Sequence, residues 1–272
     1  MTGLPSAPAA EQERDRRNGS FRRRVLAGTP VFGTFLQMGS PVSAEVCGRA
    51  GFDWGLIDLE HGLGAEASLL AELMALELAG ASAIVRVETG SPLRISRALD
   101  QGAAGLMVPR VRSAAEAALA VQCVRYPPEG ARGVALSVRA AGFGSTPHDG
   151  LGTVNAGITT MIQIENAPAL ADVAGIAAVD GVDVLFVGPN DLTHSLGIPG
   201  RFDEPVYRDA LAEVSRAAEA AGKASGILLR SPAELDAHRA LGYSVFVLLS
   251  DSSLLAQSAR SALSLMRGNA PA

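Results

Sequence analysis

The residues best suited to chemistry stand in four short segments. Asp58, Glu60 and His61 close one apolar run, and Arg86 and Glu88 close a second. Gln163 and Glu165 close a third, and Gly188-Pro189-Asn190-Asp191 follow a fourth. Paired carboxylates with no cysteine or second histidine beside them form a hard, oxygen-rich donor set. That set selects Mg²⁺ or Mn²⁺ over a structural zinc. Such a cation keeps positions open for water and substrate. An α-keto acid fills two of them through its carboxylate and keto oxygens, and the cation then acts as a Lewis acid toward an enolate. Arg86 offers a planar fork to the same oxyanion. Proton transfer near neutrality suits His61, next to Asp58. Lys223 is the only lysine in the chain, and it precedes an apolar run rather than ending one. A Schiff-base mechanism, which needs a lysine at the site, is therefore disfavoured.

Each residue also admits a bland reading. Asp58, Glu165 and Asp191 are the kind of residue that caps a helix or closes a turn. His61 alone reads as a surface histidine, and Arg86 as an ion-pair partner of Glu88 or Asp100. The functional reading rests on convergence, because all of them fall at the same end of the same kind of element. His148, His194 and His238 have no ligand spacing. The Arg22–Arg24 run reads as a solvated helix end, and Asp251 as a cap.

The positioning elements are a strand–helix alternation. Strands are expected at 31–36, 54–58, 83–87, 105–108, 159–164, 183–187, 224–228 and 244–248. Helical patterns fall at 41–50, 65–78, 92–101, 114–123, 167–177, 205–221, 231–241 and 252–266. The strands are continuous apolar runs, as expected where helices cover a parallel sheet on its outer face. Eight β/α units suit an α/β fold of the (β/α)₈ TIM-barrel type, whose sites lie at the C-terminal ends of the strands. A doubly wound sheet is the alternative, but no GxGxxG follows the first strand. The rhythm breaks at 126–157, a long connection rich in Pro, Gly and Ser.

Composition agrees. The chain has 272 residues, 48% hydrophobic and 4% aromatic, with a formal charge of −5. That acidic balance offers no basic surplus for nucleic acid. No apolar run is long enough to span a membrane. Cys47 and Cys123 are read as small buried hydrophobes in a reduced compartment. With no secretory signal in the first residues, a cytoplasmic location is expected. Residues 1–20 are polar and charged and read as a disordered extension, 21–266 as a single barrel domain, and 267–272 as a tail.

The segment GFDWGLIDLEHG (Gly51–Gly62) resembles a hallmark of the metal-dependent class II pyruvate aldolases of the 4-hydroxy-2-oxoheptanedioate and 2-keto-3-deoxyglucarate type, within the HpcH/HpaI aldolase/citrate lyase family. LDQGAAGLMVPRV (Leu99–Val111), RYPPEGARGV (Arg125–Val134), QIEN (Gln163–Asn166) and VDGVDVLFVGPNDLTHSLG (Val179–Gly197) match in order. The resemblance covers roughly residues 19–266. It implies a phosphoenolpyruvate/pyruvate-type barrel whose C-terminal helix is exchanged between subunits of a homohexamer, a trimer of dimers. It implies a lyase that cleaves a 4-hydroxy-2-oxo acid to pyruvate and an aldehyde. The divalent metal would be Mg²⁺ or Mn²⁺, or Co²⁺ in their place, with no organic cofactor.

By the same resemblance, Glu165 and Asp191 are the metal ligands. Arg86 holds the keto oxygen. His61 and Asp58 form a dyad linked to proton transfer through a metal-bound water. Gln163 lies near the pyruvate carboxylate, to which Asn190 offers its backbone N–H. Asp100 reaches the site of a neighbouring subunit, and Arg139 matches a family arginine only loosely. Leu59, the loop Ala140–Ser145 and Leu249-Ser250-Asp251 depart from the family pattern, and with them the aldehyde specificity is open. Oxaloacetate decarboxylation, CoA-ester cleavage and keto-acid sensing without turnover are the competing functions.

Overall fold

The structure is a computed structural model that describes residues 9–268, with side chains from Arg17 onward. In chain order the elements are α1 (Ala9–Leu26), β1 (Val31–Leu36), α2 (Pro41–Arg49), β2 (Trp54–Asp58), α3 (Glu66–Leu78), β3 (Ser82–Arg86), α4 (Pro92–Asp100), β4 (Gly105–Val108), α5 (Ala114–Val124), α6 (Leu151–Gly157), β5 (Thr159–Ile164), α7 (Ala167–Ala171), α8 (Val173–Ala178), β6 (Val184–Val187), α9 (Pro189–Ser195), α10 (Pro205–Ala220), β7 (Ala224–Leu229), α11 (Leu235–Ala240), β8 (Val245–Ser250) and α12 (Asp251–Met266). The strands are all parallel and close in sequence order, β1 through β8 and back to β1. The architecture is the (β/α)₈ barrel read from the alternation. Among the described residues no helix is long and apolar enough to cross a membrane.

Local chemistry starts the helices where the chain turns away from the mouth. Ser40, Ser91 and Ser113 cap α2, α4 and α5 by accepting a backbone N–H of the first turn, and Pro41 and Pro92 take the first helical position, where no N–H is needed. The run 167–177 is two helices rather than one. Asp172 leaves the helical conformation, and its carboxylate accepts the Ala114 N–H at 2.7 Å.

Strand side chains alternate between the barrel interior and the helix layer. Phe35, Trp54, Leu56, Ile84, Met107, Met161, Val184, Phe186, Val245 and Val247 fill the interior. Leu36, Ile57, Val85, Leu106, Ile162, Leu185 and Val187 pack outward against the helices. Gly33 lies against Trp54: a Cβ there would come within 2.6 Å of the indole, so the largest side chain of the interior depends on the absence of one beside it.

Two expectations change. A helix runs from Ala9 to Leu26, across most of the stretch read as an extension; residues 1–8 lie outside the described residues. Nor is Arg22–Arg24 simply solvated. Arg22 binds Asp183 with Nε at 3.0 Å and Nη2 at 2.8 Å, and Arg24 reaches Asp53 at 2.8 Å. Phe21 and Val25 from the same helix are buried against the interior residues. α1 closes the bottom of the barrel, held by partners more than a hundred residues away in one case. The connection 126–157 is largely ordered, with a 3₁₀ segment at Arg139–Gly144, another at His148–Gly150, and α6.

Candidate active site

The alternation that packs the interior also selects which polar residues reach the mouth. On β2 the inward row is Trp54, Leu56, Asp58; on β3 it is Ile84, Arg86; on β5 it is Met161, Gln163, then Glu165 just past the strand. Each row ends in a polar side chain at the C-terminal end. Of these, Arg86 and Gln163 line a cavity of about 360 Å³, together with His61, Asn190 and Asp191 and, at the end of β1, Phe35 and Gln37; Asp58 and Glu165 stand directly behind Arg86 and Gln163.

Asp58 and Arg86 are in-register neighbours on β2 and β3. Their side chains form a bidentate pair, Nε to Oδ1 at 2.9 Å and Nη2 to Oδ2 at 2.7 Å, and both residues are buried. The Gln37 amide donates to Oδ2 at 2.9 Å, and the backbone N–H groups of Glu60 and His61 donate to Oδ1. Burial alone would raise the Asp58 carboxyl. The Arg86 bonds and charge, with Gln37 and the His61 N–H, outweigh it and hold the group below the usual carboxylate range.

This arrangement corrects one reading. Arg86 pairs with Asp58, not with Glu88 or Asp100; Glu88 lies 3.7 Å from Arg94. The Asp58 oxygens accept from Arg86, Gln37 and the backbone N–H groups of Glu60 and His61, and no direct bond joins them to the His61 ring among the described residues. The nearest carboxylate to the His61 ring is Glu60, 3.8 Å from Nε2. His61 itself stands exposed at the rim.

Sequence reasoning placed Glu60 at a strand end without giving it a role, and passed over Arg110. The Glu60 side chain is almost fully buried and accepts from Arg110 Nε and Nη2 at 2.9 and 2.8 Å, with Arg86 Nη1 at 3.3 Å. Arg110 adopts φ 61°, a left-handed backbone that costs a non-glycine residue free energy. That turn aims its N–H at Glu165 Oε1, 2.6 Å away. Glu60 had a signal, since it follows a strand end. The φ of Arg110 had none.

Glu165 is held between that N–H and the Gln163 amide, which donates to Oε2. Burial pushes its carboxyl up to about 7. The Arg110 N–H and the Arg86 charge oppose this, while the Asp191 and Glu60 charges add to it. Gln163 Oε1 is buried without a partner among the described residues. Gly188 crosses close above: a Cβ there would lie 2.7 Å from Gln163 Nε2 and 3.1 Å from Glu165 Oε2. Asp191 sits in the first turn of α9, and no ion pair engages it among the described residues. The Asn190 carbonyl accepts from Thr193 and His194, and the residue lines the cavity.

Two residues lie elsewhere. Asp100 ends α4, which runs back from the mouth, and it pairs with buried Arg132 at 2.6 Å. Arg139 binds Glu77 and the Gln101 carbonyl. Neither enters the mouth of its own chain. Asp251 does not cap α12, a task that falls to Ser250. It accepts the Gln37 N–H at 2.9 Å and the Ser43 hydroxyl at 2.7 Å, which ties the β8 end to the loop carrying Gln37.

A parallel barrel with an acid-rich, arginine-braced mouth defines an enzyme built on the TIM-barrel plan. Residues 31–258 match the model of the HpcH/HpaI aldolase/citrate lyase family, and the chain belongs to that family. It is 40% identical over 253 residues to the hydroxypyruvate/pyruvate aldolase of Paraburkholderia phytofirmans, covering 91% of this chain and 97% of that one. It is 41% identical over 221 residues to the 5-keto-4-deoxy-D-glucarate aldolase of Klebsiella pneumoniae, covering 81% and 85%. Among solved structures it is similar to an HpcH/HpaI aldolase/citrate lyase family protein from Burkholderia cenocepacia. The TM-score is 0.87 at 38% identity, over 92% of this chain and 99% of that one. The protein is an enzyme of the aldolase class.

Proposed function

We propose that the enzyme is a divalent-metal-dependent aldolase that cleaves a 4-hydroxy-2-oxo acid to pyruvate and an aldehyde, and runs the reverse addition. The observation that carries this is the pair Glu165 and Asp191. Both belong to the mouth, where the Asp191 charge is felt by the buried Glu165 carboxyl, and no cation of the protein is paired with either among the described residues. The orphaned Gln163 oxygen beside them and the backbone passing at Gly188, with no side chain to fill the space, fit an ion with its waters. Among the described residues no three His, Cys, Asp or Glu gather to cage a metal. A two-carboxylate site suits Mg²⁺ or Mn²⁺, which keep most of their waters. Held by Glu165 and Asp191, the cation would supply Lewis-acid polarisation of the keto oxygen.

The chain's own residues do the rest. Arg86, fixed by Asp58, presents its remaining Nη hydrogens to the cavity and stabilises negative charge as it develops on the keto oxygen. Gln163 and the Asn190 N–H orient the carboxylate of pyruvate. His61, at the rim beside Glu60, exchanges the proton between the 4-hydroxyl and solvent. The exposed apolar side chains of α12, Leu255, Leu263, Leu265 and Met266, support a homo-oligomer in which that helix packs on a neighbour; within this chain only its Asp251 is buried.

The test is NADH-coupled detection of pyruvate from a panel of 4-hydroxy-2-oxo acids, with EDTA and with added Mg²⁺ or Mn²⁺. Release that EDTA abolishes and metal restores is expected. Release from oxaloacetate alone would replace the proposal with a decarboxylase.

A further inference from the structure

One wall of the cavity has no part in the chemistry proposed above. It is formed by the ends of β7 and β8 and includes Leu228, Arg230, Leu249 and Ser253. Alternation places Arg230 there. Ala224 and Leu228 pack on the barrel interior, and a Cβ on Gly226 would strike the interior ring of Phe186. Arg230 is the next residue of that inward row, one position beyond the strand.

The guanidinium is fixed from two sides. Its Cζ lies 3.7 Å from the centroid of the Phe202 ring, and Glu234 pairs with Nη2. Glu234 also accepts the Arg230 backbone N–H at 2.8 Å, which closes the turn into α11. A guanidinium has five N–H donors. Those on Nε and Nη1 have no acceptor among the described residues. The other arginine lining the cavity, Arg86, has both Nε and Nη2 committed to Asp58. This wall therefore carries one pre-oriented cation with unused donors, set among leucines.

A fixed guanidinium fork matches a carboxylate and gains nothing from an alkyl chain. We propose that Arg230 is the residue that determines acceptor specificity, by binding a carboxylate at the far end of the aldehyde. This rests on the aldolase reading.

The experiment measures addition of pyruvate to 4-oxobutanoate and to butanal, which share a carbon chain and differ in charge. The wild type is expected to prefer 4-oxobutanoate. In Arg230→Ala the ratio of kcat/KM for the two aldehydes should fall at least tenfold, and in Arg230→Lys by less. General damage to the fold would lower both rates and leave the ratio in place. An unchanged ratio in Arg230→Ala, or a wild type that prefers butanal, overturns the assignment. Exchange of the pyruvate methyl protons with D₂O, followed by NMR, needs no aldehyde. Its absence in the metal-loaded wild type would refute the aldolase reading itself, whereas exchange together with an unchanged ratio removes only Arg230.

Discussion

Replacing Glu165 with glutamine should make the metal-free protein more stable, while removing its activity. In the folded chain the carboxyl is pushed up to about 7; in an unfolded chain it returns to its ordinary value near 4.5. The folded state therefore holds that proton more tightly. The stability this confers is fully present below pH 4.5 and is lost as the pH rises through 7. The difference is worth about 3 kcal/mol at pH 8 and above. Glutamine is neutral at every pH and escapes the penalty. Its side-chain oxygen can still accept the Arg110 N–H, and a rotated Gln163 amide can turn its orphaned Oε1 to the new NH₂ group.

In EDTA, wild type and Glu165→Gln should unfold at similar temperatures near pH 4.5. By pH 8.5 the variant should melt roughly 6–12 °C higher, from the usual conversion for a domain of this size. Saturating Mg²⁺ should raise the wild type and leave the variant where it was, because a ligand stabilises only what binds it. The reasoning is refuted if the variant melts at or below the wild type at pH 8.5 in EDTA. Glu165 would then be a compensated carboxylate with no need of a cation.

Removing one half of the buried Asp58–Arg86 pair by Asp58→Ala should cost about 3–5 kcal/mol, read by urea unfolding. His61→Ala, at an exposed rim position, should change stability by less than about 0.5 kcal/mol yet lower pyruvate release by about 10²–10⁴-fold. Equal stability of the two variants would count against the Asp58 network. Gly188→Ala puts a methyl group 2.7 Å from Gln163 Nε2 and should weaken Mg²⁺ binding at least tenfold by titration calorimetry, with a folded barrel by circular dichroism. Phe21→Ala opens the base of the barrel and should cost about 3–5 kcal/mol in an unfolding titration; a cost below about 1 kcal/mol would mean that α1 is a dispensable extension.

The barrel was legible because its signals are local. Every strand is a short apolar run, and helix starts are marked by serine caps and first-turn prolines within four residues of one another. Pairings across the barrel were not. Arg86 and Asp58 are 28 residues apart, and only the in-register alignment of β2 with β3 puts them side by side. Placing the third strand one residue late, at 83–87, hides that pairing and makes Glu88 the natural partner. α1 was misread for the same reason. Its sequence is charged and lacks an apolar stripe, and what holds it is Phe21 and Val25 beneath the barrel together with Asp53 and Asp183, none of them a local feature. Arg230 stayed hidden because an arginine after a strand looks like any loop arginine until the parity of β7 is known.

The site's charges explain why a residue list alone could not say where a cation belongs. Four carboxylates converge on the mouth: Asp58, Glu60, Glu165 and Asp191. Arg86 neutralises the first and Arg110 the second, each through two hydrogen bonds or ion-pair contacts shorter than 3 Å. Both arginines also lend something to Glu165, Arg110 a backbone N–H and Arg86 a distant charge, and neither suffices to keep its carboxyl in the ordinary range. Glu165 and Asp191 are thus left over by subtraction. A protein that only needed a stable barrel could have placed an arginine or an amide at either position. Keeping both as acids, one of them buried, is unfavourable for the empty fold and makes sense when a doubly charged ion completes it. Arg230 differs, because Glu234 matches its charge and only its Nε and Nη1 donors are spare, so one pole of the cavity is left with uncompensated carboxylates and the other with unused guanidinium donors to meet the substrate's far end.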